Sequence, residues 1–126
     1  MTNEELKRYA RHIILSEIGL EGQQKLNQAK VLVIGAGGLG CPVLQYLTAV
    51  GVSTIGIVDF DTVDESNLQR QVLYSTEDVG KPKAQIAKEK LGKQNPYINL
   101  IAHVINLTAE NALDIITKYD IVVDGS

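Results

Sequence analysis

The first residues in this sequence that could do chemistry form a glycine-rich segment after an apolar run. Residues 35–40 read GAGGLG. Gly35 would allow a tight turn, and Gly37 and Gly38 would let the backbone approach a phosphate group. Gly40 would let the following helix pack closely on the preceding strand. The pattern predicts a phosphate site at a helix start, where free backbone amides face an anion, with a tight ligand-free turn as the alternative.

Asp59 adds a second element of a nucleotide site. It lies 19 residues after Gly40, at the end of another apolar run. A carboxylate at the carboxyl end of a second strand can accept a hydrogen bond from a ribose hydroxyl. Taken alone, the glycine segment and Asp59 favour NAD as the nucleotide.

Three basic residues and an asparagine supply groups that NAD does not need. Arg70 offers a planar fork to phosphate oxygens, and Asn67 can donate to a phosphate or a sugar. Lys83 falls in the first turn of a predicted helix, where the helix dipole disfavours a cation unless an anion binds in front of it. Arg11 lies on the polar face of the first predicted helix. The alternative for all four is turn chemistry and a solvated surface.

The elements that would position these residues alternate between strands and helices. Short apolar runs predict strands over residues 31–34, 54–59, 100–105 and 121–123, and apolar periodicity with end signals predicts helices over 41–50, 82–94 and 108–118, the last capped by Thr108. Alternation of this kind predicts an α/β fold with a Rossmann-like, doubly wound, mainly parallel sheet, here its first four strands. Residues 60–80 form a long polar connection, and such loops are usually functional.

An N-terminal helical extension precedes the predicted sheet. Thr2 and Glu5 fit a capping box, and Leu6, Tyr9, Ala10 and Ile13 recur at helical spacing as a buried stripe. Gly19 and Gly22 punctuate a second short helix over residues 23–28. We therefore divide the chain into an extension at residues 1–28 and a nucleotide-binding half at 29–126.

Composition narrows the class of protein. The chain has 126 residues, of which 44% are hydrophobic, and a net charge of −3, so we expect one globular domain that binds neither nucleic acid nor membranes. One cysteine, Cys41, excludes an internal disulfide and a cysteine-built zinc site, and we expect a reducing, cytoplasmic setting. Cys41 could have a lowered pKa at a helix start, but packing is the preferred role. His12 and His103 have no second metal ligand nearby, and we predict no metal site.

A set of motifs occurs in an order that resembles one family. It comprises Arg8-Tyr9-x-Arg11, Gly22-Gln23, the glycine segment, Asp59-x-Asp61, Asn67-Leu68-Gln69-Arg70-Gln71 and Gly80-Lys81-Pro82-Lys83. The sequence is similar over essentially its whole length to the start of the ubiquitin-activating-enzyme-like adenylyltransferases (HesA/MoeB/ThiF). Within them it most resembles the molybdopterin-synthase (MoeB) and thiamine-pathway (ThiF) branches. The segment at 67–71 followed by Gly-Lys-Pro-Lys is the specific part of the match.

The resemblance implies ATP-dependent adenylation of the C-terminal glycine carboxylate of a ubiquitin-like sulfur-carrier protein, with release of pyrophosphate. By position, it places ATP on residues of the glycine turn and of the loop that follows Asp59: Gly35, Gly37, Gly38, Gly40, Asp59, Asp61, Ser66, Asn67, Leu68, Gln69, Arg70 and Lys83. Arg70, Lys83 and Arg11 would be catalytic, with Arg11 reaching into the partner subunit of a homodimer. No general base is required, because the attacking carboxylate is already ionised at pH 7.

The sequence departs from the family at its end. Family members continue after the fourth strand with Asp-Asn, whose Asp binds Mg²⁺, and many carry a zinc site further on. Here the chain reads Asp124-Gly125-Ser126, so we expect an incomplete, inactive N-terminal portion. An NAD- or FAD-dependent oxidoreductase domain is the alternative, but it leaves Arg70 and Lys83 unexplained. A non-catalytic Rossmann module used for interaction is the third possibility.

Overall fold

A four-stranded parallel sheet with the strand order β3-β2-β1-β4 forms the centre of the computed structural model, which describes residues 1–126. In chain order the elements are α1 (Asn3–Arg8), α2 (Ala10–Ile13), α3 (Gly19–Leu26), β1 (Lys30–Ile34), α4 (Gly40–Val50), β2 (Thr54–Val58), α5 (Lys83–Gln94), β3 (Asn99–His103), α6 (Ala112–Ile116) and β4 (Ile121–Asp124). The predicted α/β class and parallel sheet are confirmed.

Helices cover both faces of the sheet. Because side chains alternate along a strand, Val31 and Val33 of β1 pack with α4 and α5 in the main core. Leu32 points to the other face and packs with Ile115 of α6 in a smaller cluster. β1 is paired in register on both sides, with Val33 opposite Ile57 of β2 and opposite Val123 of β4. The doubly wound arrangement predicted from the sequence is therefore present.

The amino-terminal helices pack at the amino end of the sheet. The predicted capping box is confirmed, since Thr2 and Glu5 bond each other reciprocally. The buried stripe is wrong in part: Tyr9 is buried, but Leu6 and Ala10 are exposed, because the helix breaks at Tyr9. The Tyr9 ring turns inward against Gly51, at the end of α4.

Two helices differ most from their predicted bounds, and β3 ends at His103, two residues before the predicted end. Helix α3 includes both Gly19 and Gly22, which we expected to precede it. Helix α6 begins at Ala112 and ends at Ile116, shorter than predicted, and Thr108 does not cap it; instead the Thr108 N–H donates to Asn111. The predicted start of α5 after Pro82 and the end of α4 at Gly51 are both confirmed, Gly51 having φ +87°.

No helix of the structure combines the length and the apolar character needed to cross a membrane.

Candidate functional site

The glycine turn joins β1 to α4 at the carboxyl end of the sheet. Gly35 has φ +97°, and a Cβ atom there would lie 2.8 Å from the Gly125 carbonyl oxygen. A Cβ atom on Gly40 would overlap the Gly35 carbonyl oxygen, and one on Gly125 would lie 3.0 Å from the Gly40 Cα. The predicted roles of Gly35 in a tight turn and of Gly40 in close packing are confirmed.

Four consecutive backbone amides of this turn have no acceptor. The N–H groups of Gly37, Gly38, Leu39 and Gly40 donate to no backbone oxygen, whereas Gly35 donates to Val58 at 2.7 Å and Cys41 to Gly37 at 2.9 Å. Free amides at the start of an eleven-residue helix carry partial positive charge. The turn therefore presents amide donors that have no acceptor within the protein, and an anion can bind to them.

Asp59 ties the glycine turn to the end of β2. Its Oδ2 accepts from the Ala36 N–H at 2.8 Å, and its Oδ1 accepts from the Asp61 N–H at 2.8 Å. A second bond holds the turn, because the Tyr74 hydroxyl donates to the Ala36 carbonyl at 2.6 Å. Asp59 and Asp61 both line the cleft in front of the turn, so the placement agrees with the predicted ribose contact, which itself stays a prediction.

Lys83 is the buried cation of the site. The residue is only 6% exposed, and its side chain has no hydrogen-bond or ion-pair partner, although it lines the same cleft. Its backbone N–H donates to the Asp61 carbonyl at 3.0 Å, which fixes the start of α5 beside the cleft. A buried charge is normally paired, so Lys83 also indicates an anion in front of it.

Arg70 lies against the glycine turn but outside the lining of the cleft. Its Cδ and Nε atoms are 3.9 Å from the position that a Cβ atom on Gly38 would take. The guanidinium is exposed, and its single hydrogen bond is a long one, 3.4 Å, to the Ser66 carbonyl. The side chain is therefore available to a ligand held on the turn.

Residues 66–69, which precede Arg70, do not line the cleft. Ser66 Oγ donates to Asp64 at 2.7 Å, and Asn67 Oδ1 accepts from the Asp64 N–H at 3.2 Å. The bonds from Ser66 N–H and Oγ hold the pKa of Asp64 below its ordinary value. Leu68 packs against the core and Gln69 is exposed. The structure thus brings the glycines, Asp59, Asp61 and Lys83 together, with Arg70 adjacent, but does not bring residues 66–69 into the cleft.

The cleft has a volume of about 650 Å³. Its polar lining includes the glycine turn, Asp59, Asp61 and Lys83. Its apolar lining includes Phe60, Ile105 and Leu107, of which Phe60 is 59% exposed. Amphiphilic shape of this kind suits a ligand with an anionic end and an aromatic or apolar end.

Arg11 lies at the opposite end of the sheet. It belongs to α2, whose neighbour Tyr9 contacts Gly51 at the far end of α4. Because α4 has eleven residues, it separates the two ends by about 16 Å. Arg11 cannot reach the cleft of its own chain, and its predicted action across a dimer interface stays a prediction.

Sequence reasoning gave Gln71 no separate role, and the structure buries its side chain against the glycine turn. It is 4% exposed, its Oε1 is buried without a partner, and Nε2 lies 3.4 Å from the position of a Cβ atom on Gly37. A glutamine in a polar loop carries no sequence signal of burial, so only its place after Arg70 in the specific motif could have drawn attention to it.

The remaining reactive side chains are structural in this fold. Cys41 is fully buried, and burial raises the pKa of its thiol, so a lowered pKa at the helix start is excluded and the packing role is confirmed. His103 bonds the Tyr119 hydroxyl at 2.8 Å, and burial, followed by nearby Lys118, lowers its pKa. His12 bonds Gln23 at 2.9 Å.

The carboxylates of the cleft do not form a metal site on their own. No three His, Cys, Asp or Glu side chains lie close enough together to hold a metal ion. Both Asp59 oxygens accept backbone hydrogen bonds, and bonds from the Ser126 hydroxyl and N–H hold the pKa of Asp124 low. With a single cysteine, the residues present do not fit zinc either.

Comparisons with known proteins agree with this geometry. A sulfur carrier protein adenylyltransferase from Thermus thermophilus is 56% identical over 125 residues, covering 99% of this chain and 46% of that protein. A probable adenylyltransferase/sulfurtransferase, MoeZ, from Mycobacterium tuberculosis is 52% identical over 126 residues, 100% of this chain and 32% of that protein. The chain thus spans less than half the length of these relatives.

A solved structure also matches nearly the whole of this chain. The E. coli tRNA N6-threonylcarbamoyladenosine dehydratase TcdA in complex with ATP matches with a TM-score of 0.92 at 25% identity, covering 99% of this chain and 51% of that one. The model of the ThiF family matches residues 9–126. Since that match covers nearly the whole sequence, this chain belongs to the ThiF family.

Proposed function

We propose that this chain binds ATP in the cleft and forms the nucleotide-binding part of an enzyme that adenylates a ubiquitin-like sulfur-carrier protein. The observation that carries the proposal is the juxtaposition of four free amides, Gly37 to Gly40, with the unpaired and buried Lys83. A polyphosphate supplies acceptors for all of them, and Arg70 beside Gly38 adds a planar fork. ATP is a substrate of this reaction.

The other end of the cleft suits the nucleoside. Asp59 accepts from the Ala36 N–H of the glycine turn and lines the cleft, and its remaining lone pairs can accept from ribose hydroxyls. Phe60, Ile105 and Leu107 offer apolar contact to a purine base. Relatives whose names state adenylyltransferase activity support this assignment.

In the proposed reaction, a carboxylate oxygen of the carrier's C-terminal glycine attacks the α-phosphorus of ATP. An acyl–phosphate bond forms, the bond to the β-phosphate oxygen breaks, and pyrophosphate leaves with the electron pair. Lys83 and Arg70 neutralise charge that builds on the leaving pyrophosphate, and the amides hold it in place. Arg11 of a partner subunit would add a third cation.

Mg²⁺ is the counterion that ATP normally brings, but the residues of this chain do not make a complete site for it. We therefore assign the metal no ligand here. A molybdopterin or thiamine pathway is part of the proposal, supported by the family, and so is a cytoplasmic location, expected from a sequence with a single cysteine.

Calorimetry with ATP and NAD on this chain tests the nucleotide assignment. We expect ATP to bind more tightly, because its triphosphate offers more charge and more acceptor oxygens to the four amides, Lys83 and Arg70 than the two phosphates of NAD do. Tighter binding of NAD, or no binding of ATP, would contradict the proposal. An oxidoreductase domain would give the first result, and an interaction module would bind neither nucleotide.

The reaction is tested by ATP–pyrophosphate exchange with a carrier protein, in a chimera where this chain replaces the matching 125 residues of the Thermus relative. We expect exchange, and we expect Arg70→Ala to lower its rate by about 10²-fold, as losing a transition-state contact typically does. The exposed Lys88→Ala is the matched control and should have little effect. A loss below about threefold for Arg70→Ala would overturn the role given to Arg70.

A further inference from the structure

Gln71 has a buried side-chain carboxamide, one atom of which lacks a hydrogen-bond partner. The side chain is 4% exposed, and its Oε1 atom is fully buried with no donor. Unsatisfied buried polar atoms are rare in native proteins and each one calls for an explanation. Methionine has nearly the same length and shape and would fill this space without an unpaired oxygen. We therefore expect the carboxamide to have a function that compensates for the free-energy cost of its unpaired oxygen.

The nitrogen of that amide lies at the glycine turn. Nε2 is 3.4 Å from the position that a Cβ atom on Gly37 would take, and it is not among the fully buried unpaired atoms. The backbone of Gln71 is fixed on both sides, since its N–H donates to Asn67 at 2.8 Å and its carbonyl accepts from Tyr74 at 3.2 Å. The carboxamide is therefore held with its donor end against a residue that lines the cleft.

The glycine turn beside Nε2 is rich in hydrogen-bond donors. They comprise the free amides from Gly37 to Gly40 and the Arg70 side chain over Gly38, and Lys83 lines the same cleft. The acceptors nearest the turn are already engaged within the protein, since both Asp59 oxygens and the Ala36 carbonyl each accept a hydrogen bond. An anion complements these donors.

We propose that Gln71 is a further anion-binding residue of this site, whose Nε2 donates to a phosphate oxygen of the nucleotide held on the glycine turn. The unpaired Oε1 is the cost of directing the nitrogen toward the turn. A neutral donor adds a hydrogen bond without raising the charge of a site that already holds two cations. This proposal rests on the proposed function and adds to it a residue that reads the phosphate end of the ligand.

The test compares Gln71→Met with the natural chain in three measurements: ATP affinity and adenosine affinity by calorimetry, and melting temperature by circular dichroism without ligand. We expect ATP affinity to fall about three- to tenfold, because one neutral hydrogen bond is lost. Adenosine affinity should stay within about twofold, since the contact is to phosphate. The melting temperature should stay the same or rise, because the orphaned Oε1 is gone.

Opposite signs in stability and affinity distinguish a binding residue from a structural one. Gln24→Met, on the exposed face of α3, is the matched control and should change none of the three quantities. Gln71→Glu adds a negative charge at the same size and should weaken ATP binding at least tenfold more than Gln71→Met. Unchanged ATP affinity in Gln71→Met, or a joint fall in melting temperature and both affinities, overturns the inference. Failure of the natural chain to bind ATP instead overturns the proposed function, and the inference with it.

Discussion

The two ends of the sheet differ in whether their polar groups have hydrogen-bond partners within the protein. At the amino end, Asn95 Nδ2 donates to the Tyr9 hydroxyl at 2.9 Å and to the Thr48 carbonyl at 2.8 Å, and Gln23 Nε2 donates to Val50 at 2.8 Å. Only the Thr48 hydroxyl is left without a partner there. At the carboxyl end, four amides and Lys83 have none.

The difference distinguishes polar groups that stabilise the fold from polar groups that bind a ligand. A satisfied buried network fixes one arrangement of the elements, here the docking of α1 to α3 under the sheet. Donors without a partner in the protein contribute nothing to its folding, and a buried one such as Lys83 costs stability until a ligand binds. Substitutions at the two ends should therefore change different measured quantities.

The largest expected effect is at the amino end. Gly51→Ala places a Cβ atom 2.5 Å from the Tyr9 ring at φ +87°. We expect the free energy of unfolding to fall by about 3 kcal/mol, from backbone strain and overpacking together. Gly80 has the same φ of +87° with nothing within 4 Å, so Gly80→Ala should cost only about 1 kcal/mol. Urea unfolding measures both, and equal losses would show that the Tyr9 contact is unimportant.

The second test concerns the carboxyl end. Lys83→Met removes the unpaired cation while keeping the length of the side chain. We expect ATP affinity to fall about 10- to 100-fold, the loss typical of a charged hydrogen bond, with no decrease in the free energy of unfolding. Lys90→Met on the same helix is the control, because Lys90 is paired with Asp78 and should affect stability without affecting ATP. If Lys83→Met destabilises the chain and binds ATP normally, the contrast between the two ends fails.

The smallest effect concerns that ion pair. Burial alone would raise the pKa of Asp78, but the bonds from Lys90 and Ser75 outweigh it and hold the pKa below its ordinary value. A lowered folded pKa contributes stability that is present above the unfolded pKa and is lost as pH falls through the folded one. Asp78→Asn should therefore cost about 1 kcal/mol near pH 7, and the difference should shrink as pH falls below the ordinary aspartate pKa and be lost once Asp78 is protonated in the folded state. A difference that persists in acid would rule out the ion pair as its source.

The features predicted well from the sequence are local. The capping box at Thr2, the start of α5 after Pro82 and the conformation of Gly35 each depend on residues within a few positions of one another. Their physical rules act over short distances, so the residue types suffice. The parallel sheet also followed, because buried strands alternating with helices leave few other topologies.

The features predicted poorly depend on long-range contacts. The first helix breaks at Tyr9 because the ring contacts Gly51 and Asn95, far away in sequence. Gln71 was given no role of its own because its burial depends on how the loop lies under the glycine turn. None of these contacts has a signature in residue type or spacing.

The contact of Gly125 with Gly35 and Gly40 ties the shape of the anion-binding turn to the residues that follow β4. The Gly125 N–H donates to Ile34 at 2.7 Å, so the turn acquires this neighbour only when β4 docks beside β1. Contacts separated by some ninety residues form late, because a long loop must close first. A nascent chain that has emerged only as far as β3 thus carries the glycine motif without the packing that shapes it.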